Sequence, residues 1–444
     1  MFAVVLGSGT GSVRLFRISV LLALAQGAAA QASAQIEDSF KSRPPAVTPV
    51  YQMPRPGYDA PKFDIGGFLV APSFSEILAG DDNIFASDKR QASDLIFTNG
   101  EELAIQSQWS RNGAQLRLYH SHDLYADHPA ENANTYGVEG SFRFDIAKGG
   151  VLEINTGFVQ QPQKRNSTQA DSLSLARRVY NTMPAIAGYA QDWGRWHNHL
   201  EAGLTQTAYI SNVDAARSAI QSHYSDRLSF ALTGDAWPFL QVSYSTQNWR
   251  LNGPLRNFDT LTAIAGMSVQ LTDVVDAELG GGVLRQHYVF PGFQDLVTPT
   301  FSGHLTWNIR PLTSLSASAS QAVTGLESFC GTGLGNPACS SPSINGNQRG
   351  ALEVTSAKIE IQHEFWHDIL GEARFRFEQD KFDPVDLTDR NYSVNLGARF
   401  LLNRNMELDI SYIFNTRTAN QNILLYNSGA YLSNTVSMTL KAAM

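Results

Sequence analysis

The chain has 444 residues, 17% of them charged and 10% aromatic, with a net charge of −8. That length suits two or three ordinary domains or one large single-layer structure. The acidic balance, without any Lys/Arg-rich run, argues against a nucleic-acid partner.

Arg14 and Arg17 precede an apolar stretch, ISVLLALAQGAAA, which the small residues Ala32-Ser33-Ala34 follow. A charged region, a short apolar core and an A-x-A site predict a Sec signal peptide over 1–34, cleaved after Ala34 with Ala30 as the alternative. The apolar core is too short to cross a bilayer. Residues 35–62 follow as a Pro-rich periplasmic segment, with six prolines in KSRPPAVTPVYQMPRPGYDAPK (41–62). Proline cannot donate to a sheet ladder, so this stretch reads as an extended linker or a docking arm.

From residue 63 to 444 the pattern becomes that of strands. Asp81-Asp82-Asn83 opens the first long loop but Ile84, Phe85 and Ala86 do not continue a calcium loop, so it reads as solvated acid. Cys330 and Cys339 lie in FCGTGLGNPACSSP. In an exported chain, two cysteines in one flexible loop predict a local disulfide that ties the loop into a defined cover. In EVTSAKIEIQ, Lys358, Glu360 and Gln362 alternate with Ala357, Ile359 and Ile361. In GEARFRFEQD, Ala373, Phe375 and Phe377 oppose Glu372, Arg374, Arg376 and Glu378. NYSVNLGARF sets Tyr392, Val394, Leu396, Ala398 and Phe400 on one side, and MELDISYIFNTRTA sets Met406, Leu408, Ile410, Tyr412 and Phe414 against Glu407, Asp409 and Ser411. The last segment repeats this with Leu432, Val436, Met438 and Leu440. A period of two puts apolar and polar side chains on opposite faces of a strand.

HEFWH (363–367) fits the H-E-x-x-H zinc pattern, which needs a helix to converge its two histidines. Here it continues an alternating strand. In a strand, His363 and His367 would stand roughly 13 Å apart at ~3.3 Å per residue, so no metal site is expected. Trp366-His367-Asp368 reads as a tight turn instead.

The predicted strands run about 12–16 residues, longer than globular strands of five or six and than the ~9–11 a tilted bilayer span needs. Tight turns (RNG 111–113, AKGG 147–150, the stretch around Gly194, WHD 366–368, NRN 403–405) alternate with long loops (81–92, 164–179, 211–222, 327–350, 420–430). The pattern predicts an all-β, antiparallel up-and-down transmembrane barrel of about 18 strands, with 16 as the alternative, short periplasmic turns and long extracellular loops. Trp193, Trp196, Trp237, Trp249, Trp366, Tyr426 and Tyr431 are expected at the interfacial girdles. The other parity supplies lumen-facing candidates: Arg117, Glu139, Arg143, Asp145, Glu153, Lys358, Glu360, Glu364, Glu372, Arg374, Arg376, Glu378, Arg399, Glu407 and Asp409. No nucleophile elbow, P-loop or paired Cys-x-x-Cys is present, so no catalytic residue, metal or cofactor is expected.

Tyr58 to Ile146 resembles the putative β-barrel porin 2 family of Gram-negative outer-membrane proteins, on GFLVAPSFSEILAGDDNIFAS and SDLIFTNGEELAIQSQWSRNGAQLRLYH. NLGARFLLNRNMELDISYIFNTR resembles that family's late strands. The chain departs from common barrels in ending on Lys441-Ala442-Ala443-Met444 rather than on an aromatic residue. The resemblance implies a non-enzymatic outer-membrane barrel, assembled by the barrel-assembly machinery into outer-membrane lipid, and exporting an exopolysaccharide or other polar polymer. Residues 41–62 would then be the place to dock periplasmic polysaccharide-export components. The alternatives are a general diffusion porin for small polar solutes, which a barrel of this strand number permits, and a plugged structural or adhesion barrel.

Overall fold

The computed structural model describes residues 47–167, 170, 177–251, 257–291, 293–325, 351–383, 387–420 and 429–444. The predicted signal peptide and the predicted Cys330–Cys339 disulfide lie outside the described residues, as does Tyr426. The strands are β1 (Phe63–Ile65), β2 (Phe68–Asp81), β3 (Asp94–Ser107), β4 (Gly113–Tyr125), β5 (Ala133–Ala147), β6 (Gly150–Pro162), β7 (Val179–Trp193), β8 (Trp196–Tyr209), β9 (Ala219–Phe230) and β10 (Ala236–Trp249). They continue as β11 (Phe258–Thr272), β12 (Val275–Tyr288), β13 (Leu296–Arg310), β14 (Thr313–Gly325), β15 (Ala351–Trp366), β16 (Ile369–Asp383), β17 (Leu387–Asn403), β18 (Met406–Ala419) and β19 (Tyr431–Ala443).

Strands β2 to β19 pair with their chain neighbours, all antiparallel, and β19 returns to β2 from Thr435↔Asp81 to Ala443↔Ser73. The result is a closed barrel of 18 strands. In lipid no water satisfies a bare amide, and closure is what leaves no edge. The short β1 continues the seam, pairing Phe63↔Val70 to Ile65↔Phe68 on the stretch of β2 that β19 does not reach. Gly66 and Gly67, at φ +60 and +85, make the turn between β1 and β2, a conformation that costs glycine little.

At the extracellular end the seam is bolted by the acidic loop. Asp81 accepts from the Ser433 and Thr435 hydroxyls at 3.1 and 2.9 Å, and Asp82 accepts from the Asn434 backbone and amide nitrogens, both at 2.7 Å. These carboxylates are committed to closure of the barrel, which the local sequence did not reveal because their partners are about 350 residues away.

The tight turns share a device. Strands β5, β11, β13, β15 and β17 each slip register by one residue as they enter the turn. A bulge there sharpens the twist and ends the pairing. HEFWH lies at one of these points. His363 sits across from Thr313, with Nδ1 2.8 Å from the hydroxyl, and its ring lies 4.7 Å from Phe365. Trp366 closes β15 after the bulge, and His367-Asp368 make the turn. Among the described residues no cluster of His, Cys, Asp or Glu could hold a metal.

The two faces separate by chemistry. Ile359, Ile361 and Phe375 are 48%, 44% and 42% exposed on the outer wall, whereas Glu360 and Gln362 are 7% exposed on the inner one. Trp193, Trp196 and Trp366 stand exposed at the short-turn end, as interfacial residues should. Trp249 and Tyr431 do not join them: both are buried on the inner parity, and Tyr431 packs beneath the Arg417 guanidinium. The aromatic residue type alone does not separate a girdle position from an inward one at a strand end.

Candidate functional site: the barrel lumen

Inward-facing residues line up across the strands by register, so charges far apart in sequence become neighbours. Arg117 on β4 meets Glu139 on β5 at 3.1 Å and Glu102 on β3 at 2.8 Å. Arg143 lies 3.3 Å from Asp145 and directly across from Glu153. On β15 and β16, Lys358 meets Glu360 at 2.6 Å, while Arg374 reaches Glu360 and Glu372, both at 2.8 Å. Arg376 stands across from Lys358, with Glu378 one inward position further along β16. Arg399 grips Asp409 through two bonds of 2.8 and 3.1 Å, and Glu407 pairs with Lys441 at 3.6 Å. Glu364 takes its partner from outside the barrel wall. The ion pairs among these are charge-assisted contacts, and paired charges tolerate a wall with little water better than lone ones.

Residues 47–58 lie inside the barrel mouth at the short-turn end. Val47 and Val50 are 2% and 0% exposed. The Val50 amide donates to Ser314 Oγ at 3.0 Å and the Tyr51 amide to Gln362 Oε1 at 3.0 Å. Asn308 donates to the Thr48 carbonyl at 3.1 Å. Arg55 closes the set: its guanidinium bonds the Val50 carbonyl and makes a 3.0 Å ion pair with Glu364. Tyr58 stacks edge-on against His367, and Arg399 lies over the Tyr51 ring. Burial and the facing Glu372 carboxylate push the Tyr51 hydroxyl far above the usual phenol range. This part of the Pro-rich stretch, read from sequence as an extended linker or a docking arm, docks on the inner wall of β13 to β17. Composition signalled a segment unfit for a strand, and the inward Ser314, Gln362 and Glu364 that receive it carry no local mark of doing so.

At the other end, the described residues between β6 and β7, 163–167 and 177–178 among them, pack against residues of the bore. Arg165 makes a bidentate pair with Glu131 through contacts of 2.6 and 3.1 Å, and Arg177 donates to the Glu131 carbonyl at 2.9 Å. Arg178 binds Asp214 at 2.5 Å. Arg417 of β18, 1% exposed, donates to Asn391 at 2.9 Å and to the Asn166 carbonyl. The Lys164 ammonium also feels the charge of Arg376 on β16, nine strands from β7 in the ring of 18. Residues 163–167 thus reach across the bore from the end of β6 to β18. Lys164 is half-buried. Desolvation first, then Arg376 and Arg177, push its ammonium down to about 8 against the pull of Asp123.

Sequence parity proposes the wall charges as lumen-facing. It does not reveal Glu102, Arg227 with its 2.8 Å partner Glu278, the loop residues Glu131, Lys164 and Arg165, or the strand residue Arg417. A Lys-Arg pair beginning a long loop was the available signal, and such pairs are usually solvated. The arrangement offers a barrel lumen lined with fixed charge, and chemistry of that kind selects solutes by size and field.

The family model described as putative beta-barrel porin 2 matches residues 55–331 and 343–443. No curated protein matches the sequence. Among solved structures, the chain is similar to Pseudomonas aeruginosa OccK2 (OpdF), at 10% identity and TM-score 0.46, covering 85% of this chain and 97% of that one. It is also similar to Acinetobacter baumannii OccAB3, at 11% identity and TM-score 0.45, covering 86% and 100%. A BenF-like porin from Pseudomonas fluorescens Pf-5 matches at 10% identity and TM-score 0.46, covering 86% and 100%.

Proposed function

We propose that this chain, which belongs to the putative β-barrel porin 2 family, is a gated diffusion channel for small polar solutes that favours anions. Its place as an outer-membrane, porin-like barrel follows from the family and the fold. The observation that carries the finer reading is the cluster of cations at the long-loop end of the bore. There Arg165 and Arg177 converge on Glu131, Arg417 holds the Asn166 carbonyl, and Lys164 feels the charge of Arg376 and Arg177. A cluster of cations in a bore creates a field that lowers the cost of an anion and raises that of a cation. An exopolysaccharide, the cargo implied by family resemblance, needs a continuous wide bore. The inward β6–β7 connection and the docked N-terminal segment count against a polymer and favour the small-solute alternative.

Planar bilayers with a KCl gradient supply the test. The channel is expected to be anion-selective at pH 7, with selectivity falling as pH rises through about 8, because Lys164 is charged below that value and neutral above it. Arg376→Glu is expected to move the reversal potential toward cations. A reversal potential that ignores both pH and Arg376→Glu would show that these residues do not line the conducting path.

A further inference from the structure

The outer wall of β2 to β5 carries polar residues where lipid would be expected. Cross-strand register sets them in two adjacent rungs: Glu76, Asn99, His122 and Asn134, then Phe74, Glu101, His120 and Tyr136. Asn99 donates to both Glu76 oxygens at 2.8 and 3.0 Å. His120 lies 3.0 Å from Glu101, and His122 lies 2.7 Å from Asn134. The Glu101 and His120 side chains are 55% and 46% exposed, so neither is turned into the barrel.

Apolar residues flank this patch along the same strands. On β3 the outward order is Leu95, Phe97, Asn99, Glu101, Leu103 and Ile105; on β4 it is Leu124, His122, His120, Leu118 and Leu116. Leu95, Phe97 and Leu124 are exposed, and so are Phe74 and Val138 beside the lower rung. Glu101 sits in the middle of its 14-residue strand. The patch therefore lies within the apolar belt, at a depth where ionisable side chains on the lipid face are destabilising. On β16 to β18, mid-strand outward positions hold Phe375, Leu396, Ile410 and Tyr412 instead.

We infer that this face is a protein interface whose occupant is a second copy of this chain, related by a two-fold axis along the membrane normal between β3 and β4. The acids lie on the β2–β3 side and the histidines and Asn134 on the β4–β5 side. A two-fold axis in that direction keeps each residue at its own depth while placing β2 opposite the partner's β5 and β3 opposite its β4. Glu76 and Glu101 of each copy then face the histidine side of the other, which is the self-complementarity an isologous contact requires. A two-fold axis brings both halves of the patch together in one contact.

Native mass spectrometry of the full chain released from lipid nanodiscs reads the stoichiometry. The wild type is expected to be a dimer, and the triple variant Glu76→Leu, Glu101→Leu, His120→Leu a monomer of unchanged folded gel mobility. A second readout does not depend on that variant folding. Leu103→Cys, placed beside the axis in a background with Cys330→Ser and Cys339→Ser, is expected to form a disulfide with its own copy, whereas Val269→Cys on the far wall is not. A monomeric wild type, any other stoichiometry, a dimer that persists in a folded triple variant, or no Leu103→Cys cross-link overturns the inference.

Discussion

Deleting residues 47–58 is expected to raise single-channel conductance severalfold, and Arg55→Ala is expected to give frequent excursions to the same level. The segment is held by two buried valines, by backbone bonds to Ser314 and Gln362, and by Arg55 against Glu364, whose side chains are 7% and 12% exposed. Removing one partner of such an enclosed pair costs about 3 kcal/mol, enough to raise the undocked population by roughly a hundredfold. Most of that cost comes from leaving Glu364 without its cation inside the mouth. Glu364→Gln should therefore be milder than Arg55→Ala, since Gln can still accept from Arg55. Conductance unchanged in both Arg55→Ala and the deletion would mean that the segment does not obstruct the path.

The second large effect is expected at Arg417. Its guanidinium joins Asn391, the Asn166 carbonyl and the Tyr431 ring, with Glu378 and Asp389 among the nearby carboxylates. Asp389 is 0% exposed and neither of its oxygens has a hydrogen-bond partner, so the nearby cation is what offsets its burial. Arg417→Met removes that cation and is expected to cost about 3–5 kcal/mol, read as a lower urea midpoint for loss of the compact gel form. It also frees the Asn166 anchor, so conductance should rise. Arg417→Lys is expected to recover part of the stability, because the charge is kept, but not the closed state, because an ammonium lacks the planar fork that bonds Asn391 and Asn166 together. Equal stability of Arg417→Met and wild type would contradict this account of the loop anchor.

Much of the barrel is legible in the sequence because its two solvents impose a period of two on every strand. Ile359 and Ile361 against Glu360 and Gln362 suffice to orient β15, and tight turns alternating with long loops give the strand count. HEFWH illustrates the same logic, since its letters suggest zinc but the alternation leading into it fixes a strand that ends in a turn. What parity does not carry is the identity of partners. Whether Glu364 faces water or Arg55, some 309 residues earlier in the chain, depends on how closure brings the N-terminal segment to β15. The inward path of the β6–β7 connection is hidden for the same reason, as Asn166 and Arg417 are 251 residues apart. The outward Glu101 and His120 break the alternation in chemistry but not in period, so the strand reads normally while its face does not.

Solute flux in proteoliposomes tests the central claim most directly. Vesicles carrying the full-length chain or the Arg55→Ala variant would be challenged with chloride, small organic anions, the matching small cations, and oligosaccharides of increasing length. The account predicts slow entry of small anions through the wild type, faster entry through Arg55→Ala, slower entry of the cations, and exclusion of the longer oligosaccharides by both. Passage of long oligosaccharides through the wild type, or no flux of any solute through either protein, would contradict it.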